Sequence, residues 1–140
     1  MAYEEINLNF KGYRRKVKIS TLPEISAIYG VYTCTYDKKA GSVSLKKLIY
    51  IGEAQNLRKR IANHEKWEDW ESHLNSNEII CFNYAKIDDL RERAEAAMIY
   101  RHKPPENTEY ADNFPFDKTK ITTDGQNALM TKTFTVERDD

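Results

Sequence analysis

Two runs of strand length constrain this chain most. Residues 27–36 read AIYGVYTCTY and residues 45–52 read LKKLIYIG, and between them lies the polar segment DKKAGS. Both runs are rich in β-branched and aromatic residues, and the segment joining them carries turn formers, so they are expected to pair as an antiparallel hairpin. A fold at Gly41, midway between Tyr32 and Tyr50, sets those two tyrosines side by side and places Gly30 beside Gly52. Two phenols would then border a shelf without side chains, where a bulky ligand can come close. The same arrangement has a plainer reading, because an aromatic cross-strand pair stabilises a sheet by itself.

The second run leads directly into YIGEAQNLRKRIANH, residues 50–64. Asn56 is a fair N-cap, and the helix after it is expected to reach His64. Leu57 and Ile61, four apart, face the core. Arg60 and His64, also four apart, fall on a neighbouring stripe at the edge of the sheet contact rather than out in solvent. Arg58 and Lys59 point elsewhere and suit loose phosphate contacts.

Other elements follow from the same patterns. Residues 6–10 and 13–19 alternate around Lys11-Gly12 and read as an amino-terminal hairpin within residues 1–20, with Lys11, Arg14, Arg15, Lys16 and Lys18 as its basic residues. That basic element either tracks phosphates or is a solvated edge. A second helical piece follows in EKWEDWESHL, where Trp67 and Trp70 have the spacing of helix packing. Residues 78–87 form another core strand. Residues 89–102 are the clearest helix, with Asp89 and Glu92 as a capping-box variant and Leu90, Ala94, Ala97 and Met98 as the buried stripe. Lys-Pro-Pro at 103–105 ends it. NFPFDK is loop, and TKTFTVE is a candidate last edge strand. His73 and His102 read as surface or packing residues. The pattern is that of an α+β domain: a small antiparallel sheet flanked by helices, with the amino-terminal hairpin added.

The chain has 140 residues, 40% of them hydrophobic and 31% charged, which fits one compact core and excludes a membrane-embedded protein. The amino terminus lacks the basic patch and apolar stretch of a secretory signal. Cys34 and Cys81 supply neither a disulfide framework nor zinc spacing and read as buried thiols of an intracellular, cytoplasmic protein. Net charge is zero, but residues 1–65 hold 12 Lys and Arg against 6 Asp and Glu, and residues 66–140 hold 10 against 16. This reads either as a basic face opposed to an acidic one or as a solvated surface whose charges segregate.

Taken together, GVY at 30–32, YIG at 50–52, the strand–turn–helix carrying Arg60 and His64, and EAAMIYRHKPPEN with Glu95 and Asn107 resemble the GIY-YIG endonuclease family. The resemblance covers residues 27–110 as the core. It leaves residues 1–20 as an added hairpin and 111–140 as a carboxy-terminal extension of a single domain. It implies hydrolysis of phosphodiester bonds in DNA. Glu95 would be the ligand of one Mg²⁺, for which Mn²⁺ can substitute, and the metal would stabilise the leaving oxygen. Tyr32 would be the general base towards water, passing its proton to His64. Arg60 would hold the phosphate, Tyr50 would position water or phosphate, and Asn107 would give a supporting hydrogen bond. Gly30, Gly52, Arg58 and Lys59 would border the substrate. Glu95 is a hard oxygen ligand of the kind Mg²⁺ takes, whereas a phenol with pKa near 10 needs a nearby cation or proton acceptor to serve as a base. Two other readings stand beside this one: a nucleic-acid-binding module of the same fold that does not cut, and an RNA-directed nuclease. No membrane is expected as a partner. A chain without a separate base-reading domain would act with loose specificity, by recognising unusual DNA shapes, as a homodimer, or with a delivery partner.

Overall fold

The computed structural model describes residues 3–139, so Met1, Ala2 and Asp140, at the ends of the expected 1–20 and 111–140 segments, lie outside it. Six strands form one sheet: β1 (Glu4–Arg15), β2 (Ala27–Asp37), β3 (Ser42–Ala54), β4 (Ile79–Lys86), β5 (Thr119–Gly125) and β6 (Thr133–Val136). Their order across the sheet is β3-β2-β4-β1-β5-β6. Among the described residues there are also three α-helices: α1 (Leu57–Ala62), α2 (Trp67–Glu71) and α3 (Arg91–His102). The α+β character expected from the sequence is present.

The amino-terminal hairpin is not. The chain passes through Lys11-Gly12 without turning, and β1 continues to Arg15 with a register shift between Lys11 and Arg14. The alternation on both sides of Gly12 therefore belongs to one long strand, which pairs with β4 on one side and β5 on the other. A 3₁₀ segment, Lys16–Thr21, takes the place of the second arm, and Val17 there is 74% exposed. The β1–β5 pairing is parallel, so the sheet is mixed rather than antiparallel. The expected edge strand near the carboxy terminus exists as β6. Within the expected carboxy-terminal extension, Thr119–Gly125 and Thr133–Val136 add two strands to the same sheet.

Apolar residues line both faces of the sheet, because each is covered. One face packs Ile6, Leu8, Phe10, Ile28, Tyr32 and Ile51 against α3. The other packs Tyr29, Val31, Ile49 and Phe82 against Leu57 and Ile61 of α1 and Trp70 of α2. Trp67 and Trp70 are packing residues, as their spacing implied, with ring centroids 5.2 Å apart. Asn56 caps α1 by accepting a hydrogen bond from the Lys59 N–H at 3.2 Å. Asp89 and Glu92 form no capping box. Leu90 takes the N-cap of α3 in a left-handed conformation with no side-chain cap, and it is 40% exposed rather than buried.

The β2–β3 hairpin decides which residues meet. Its closing pair is Asp37 with Ser42, and Gly41 lies inside the loop at φ +68°, a conformation natural to glycine. The fold point thus falls before Gly41. Two register shifts then leave Lys46 and Ile49 of β3 as extra residues opposite β2. Such bulges bend a strand and re-aim its side chains. Here Ile49 and Tyr50, consecutive in sequence, both pack on the α1–α2 side. The observed partners are Tyr32 with Leu48, Val31 with Tyr50, Gly30 with Ile51 and Tyr29 with Gly52.

Candidate active site

Tyr50 meets Tyr29, not Tyr32. Tyr29 and Tyr32 are three apart on one strand, and side chains an odd number apart point to opposite faces. The Tyr29 and Tyr50 ring centroids are 6.3 Å apart. Tyr29 lies across Gly52, where any added Cβ would overlap its hydroxyl and Cζ. Gly52 therefore serves as a shelf for a tyrosine ring and not directly for a ligand. Burial, followed by the neighbouring Tyr50, pushes the Tyr29 phenol well above its usual pKa. Burial and then Glu95 push Tyr50 up to about 12, and Arg60 pulls both phenols down.

His64 completes this aromatic group. It follows the end of α1, is 5% exposed, and lies edge-on to Tyr50 at 5.4 Å and to Tyr29 at 6.4 Å. Trp70 backs it at 4.5 Å. The Lys66 backbone N–H donates to His64 Nδ1 at 3.1 Å. That bond occupies the Nδ1 lone pair, so the neutral ring carries its proton on Nε2. Nε2 is buried without a partner among the described residues. Burial, then the nearby Arg60, lowers the His64 pKa to about 4. In this state His64 keeps its N–H donor on the buried, unpartnered Nε2, and it is poorly suited to receive a tyrosine proton.

The guanidinium of Arg60 grips the Glu65 carboxylate through two hydrogen bonds of 2.8 and 3.0 Å. This pair sits at the surface, and Arg60 holds the Glu65 pKa at about 2. Arg60 reaches both tyrosines electrostatically, as the position of α1 at the sheet edge implies. Arg58 turns away, donating to the Leu22 carbonyl at 2.6 Å beside Glu24. Lys59 is exposed on α1.

Glu95 approaches from α3. With Tyr50, Lys66, Ile99, Glu106, Asn107, Thr108 and Glu109 it lines a cavity of about 190 Å³ beside β3, the edge strand of the sheet. Burial, then Glu53 and Glu109, pushes its carboxyl up to about 8, against a hydrogen bond from the Glu53 backbone N–H that lowers it. Asn107 closes the edge of β3, accepting from Ile51 N at 2.9 Å and donating to Ile51 O at 2.9 Å. It thereby fixes the residue between Tyr50 and Gly52. Glu106 is held by His73 at 2.6 Å, so His73 supports the cavity wall instead of lying idle at the surface. His102 packs between the Met98 carbonyl and the Thr131 N–H.

No group of three or more His, Cys, Asp or Glu among the described residues has the geometry of a metal cage. The one half-buried carboxyl, Glu95, sits among like charges, where a divalent ion would favour its ionised form, and a sparse site is compatible with Mg²⁺, which keeps most of its waters while taking one or two carboxylates.

Tyr32 and Gly30 fall away from this site. Tyr32 is 0% exposed on the α3 face, where its hydroxyl donates to the Ala128 carbonyl at 2.7 Å and accepts from Asn83 Nδ2 at 3.0 Å. Burial raises its pKa further than that of Tyr50. Gly30 donates its N–H to Asn83 Oδ1 at 2.9 Å, and a Cβ there would overlap that oxygen. Its lack of a side chain makes room for Asn83 in the core, not for a ligand. A signal for Tyr29 was present in the sequence: Ala27-Ile28-Tyr29 is a second triplet of the same kind, three residues before Gly30-Val31-Tyr32. Glu53, Glu65 and Glu106 carried no motif and emerge only from the fold.

Comparison with known proteins gives one partial likeness. The chain is similar to UvrABC system protein C of Fervidobacterium nodosum, at 34% identity over 91 residues that cover 61% of this chain. The aligned stretch spans 16% of that protein. No family model matches the chain, and no solved structure matches it. No helix among the described residues is long and apolar enough to cross a membrane.

Proposed function

We propose that this protein is a GIY-YIG-type endonuclease that hydrolyses phosphodiester bonds in DNA with one divalent metal held at Glu95, and that Tyr29 takes the role the sequence assigned to Tyr32. One observation carries the reading. Tyr50 borders two chemistries at once, with His64 at 5.4 Å on one side and the cavity of Glu95 and Asn107 on the other. The partial likeness to UvrABC system protein C supports a role connected with DNA.

Arg60 released from Glu65 would grip the phosphate by charge-assisted hydrogen bonds. His64 Nε2–H would donate to an oxygen whose negative charge grows in the transition state. The Tyr29 and Tyr50 hydroxyls would orient the attacking water. Arg60, no longer neutralised by Glu65, would draw the Tyr29 pKa down and raise the fraction present as phenolate, its proton lost to bulk water, and that phenolate is the form able to take a proton from the attacking water. Glu95 would hold a divalent ion such as Mg²⁺, which would supply positive charge to the site, and Glu95 paired with it would no longer raise the Tyr50 pKa.

Supercoiled plasmid, single-stranded DNA and RNA incubated with Mg²⁺ or Mn²⁺ test the reading. We expect DNA to be nicked by the wild type, and the Glu95→Ala protein to bind DNA without cutting it. Arg60→Ala should weaken binding and reduce cleavage far more. Preferential cleavage of RNA would move the substrate to RNA. A second reading, binding without cleavage, draws on the engagement of Arg60 by Glu65 and on Glu95 being the only carboxylate of the expected set. It prevails if wild-type protein binds DNA and leaves every substrate uncut.

A further inference from the structure

At the far end of the β2–β3 hairpin from Tyr29 lies a cleft of about 490 Å³, lined by residues including Tyr13, Arg15, Lys18, Tyr36, Ser42 and Gln126. No acidic residue lines it. Elsewhere on the surface many cations are neutralised: Lys16 by Glu71, Arg58 by Glu24, Arg60 by Glu65, Arg91 by Glu53 and Lys132 by Asp124. Arg15 and Lys18 have no carboxylate partner among the described residues. The Arg15 guanidinium instead stacks on the Tyr36 ring at 3.9 Å from its centroid, and the two form a flat, cationic platform. In a chain of zero net charge, a guanidinium stacked on an aromatic ring, with a second cation lining the same recess and no acidic residue there, calls for a ligand that is both anionic and flat.

We propose that this cleft binds an unpaired nucleotide of single-stranded DNA, with a phosphate between Arg15 and Lys18 and a base against the Arg15–Tyr36 platform. The recess lies within the volume range of small-ligand pockets. Its concavity favours an unpaired nucleotide, since a duplex presents a convex backbone and keeps its bases stacked inside. Tyr36 is seven residues from Tyr29, roughly 23 Å along β2 at strand rise. Tyr29 and Tyr36, an odd number apart, point to opposite faces of β2, so a strand engaged at the candidate active site would have to pass round the β3 edge of the sheet over several nucleotides to reach the cleft. The inference deepens the nuclease reading, and rests on it for the identity of the polyanion, by giving the substrate an unpaired flank.

Fluorescence anisotropy in EDTA separates binding from cleavage. The probes are a labelled 20-nucleotide single strand and the blunt duplex of the same sequence. The proteins are the wild type, Arg15→Gln/Lys18→Gln and Tyr36→Leu, with melting temperatures measured to show that each is folded. We expect the double variant to bind the single strand about tenfold more weakly, with its log–log salt slope reduced by about 0.7, the value for one neutralised phosphate on a single strand. Tyr36→Leu should weaken single-strand binding with little change in that slope. Duplex affinity should change much less in both. Unchanged single-strand affinity and slope, equal losses on strand and duplex, or no binding by the wild type would each overturn the proposal. Its failure is distinct from failure of the nuclease reading, which is decided by plasmid cleavage with metal. A protein that cuts DNA normally with Arg15 and Lys18 replaced, and binds single strands as the wild type does, loses the cleft and keeps the activity.

Discussion

Exchanging the roles of Tyr29 and Tyr32 makes opposite demands on two variants that differ by one oxygen atom each. Tyr32→Phe removes the donor to the Ala128 carbonyl and the acceptor of one Asn83 N–H. Asn83 Nδ2 keeps its bond to the Gln126 carbonyl at 2.8 Å, so the larger loss falls on Ala128 O. Leaving a buried carbonyl unpaired costs about 1–3 kcal/mol, which is the upper range for the part-buried Ala128 oxygen. A chain of this length has an unfolding entropy near 0.3 kcal/mol per kelvin at about 2.1 cal/mol/K per residue, so the melting temperature should fall by about 3–10 °C. Cleavage by the folded fraction should remain near wild type. Tyr29→Phe removes a hydroxyl with no hydrogen bond to protein among the described residues, and it keeps the ring over Gly52. Its melting temperature should fall less than that of Tyr32→Phe, because no hydrogen-bonded group is left without its partner, whereas cleavage should fall by about 10²–10⁴, the range for a positioned acid–base group. Differential scanning calorimetry and single-turnover plasmid nicking read the two quantities. The reasoning is refuted if Tyr32→Phe is stable and inactive while Tyr29→Phe cleaves normally.

Further expectations concern the carboxylates. The Glu95 pKa is about 8 in the folded protein and near 4.5 when unfolded, so the folded state holds the extra proton. The stability this contributes is fully present below about pH 4.5 and is lost as pH rises through about 8, at no more than about 1.4 kcal/mol per pH unit. In metal-free buffer the stability of wild type relative to Glu95→Gln should fall over that window, and Mg²⁺ should reduce the fall. A flat difference in denaturation free energy from pH 4.5 to 8 would remove the case for a carboxyl confined among like charges. Glu65→Gln should leave stability within about 0.5 kcal/mol, because the pair it breaks is exposed. It should tighten DNA binding by about two- to fivefold, the worth of an exposed ion pair no longer in competition. Weaker binding by this variant would show that Glu65 supports the phosphate site instead of occupying it.

Much of the fold could be read from residue pattern, and the failures have physical causes. The hairpin from 27 to 54, the Asn56 cap, the apolar pair Leu57 and Ile61 and the stop at Pro104 are local, and local chemistry specifies them. Register is less local. Gly41 marked the turn region but not its centre, and no residue type announces the bulges at Lys46 and Ile49. A small slip there changes which tyrosine faces Tyr50, so the phenol pair was legible as a pair while one member was misassigned. The alternation across Gly12 was real, but whether two alternating runs fold on each other or form one strand depends on β4 and β5, which lie far along the chain. The supporting residues of the site depend on tertiary placement alone. His73 reaches Glu106 across 33 positions, and Arg60 is engaged by a glutamate whose role no motif marks. Leu90 breaks the capping rule outright, taking a left-handed conformation that sequence pattern disfavours for a branched apolar residue.

The central claim is that Tyr29, Tyr50, His64, Arg60 and Glu95 serve one metal-dependent site. Anomalous diffraction from crystals of the Tyr29→Phe protein grown with DNA and Mn²⁺ tests it most directly. We expect a manganese peak at about 2.0–2.2 Å from a Glu95 carboxylate oxygen, with a phosphate bridging the metal and Arg60 and with Glu65 displaced. Manganese found elsewhere, or a phosphate bound with Glu95 facing away from it, would contradict the account.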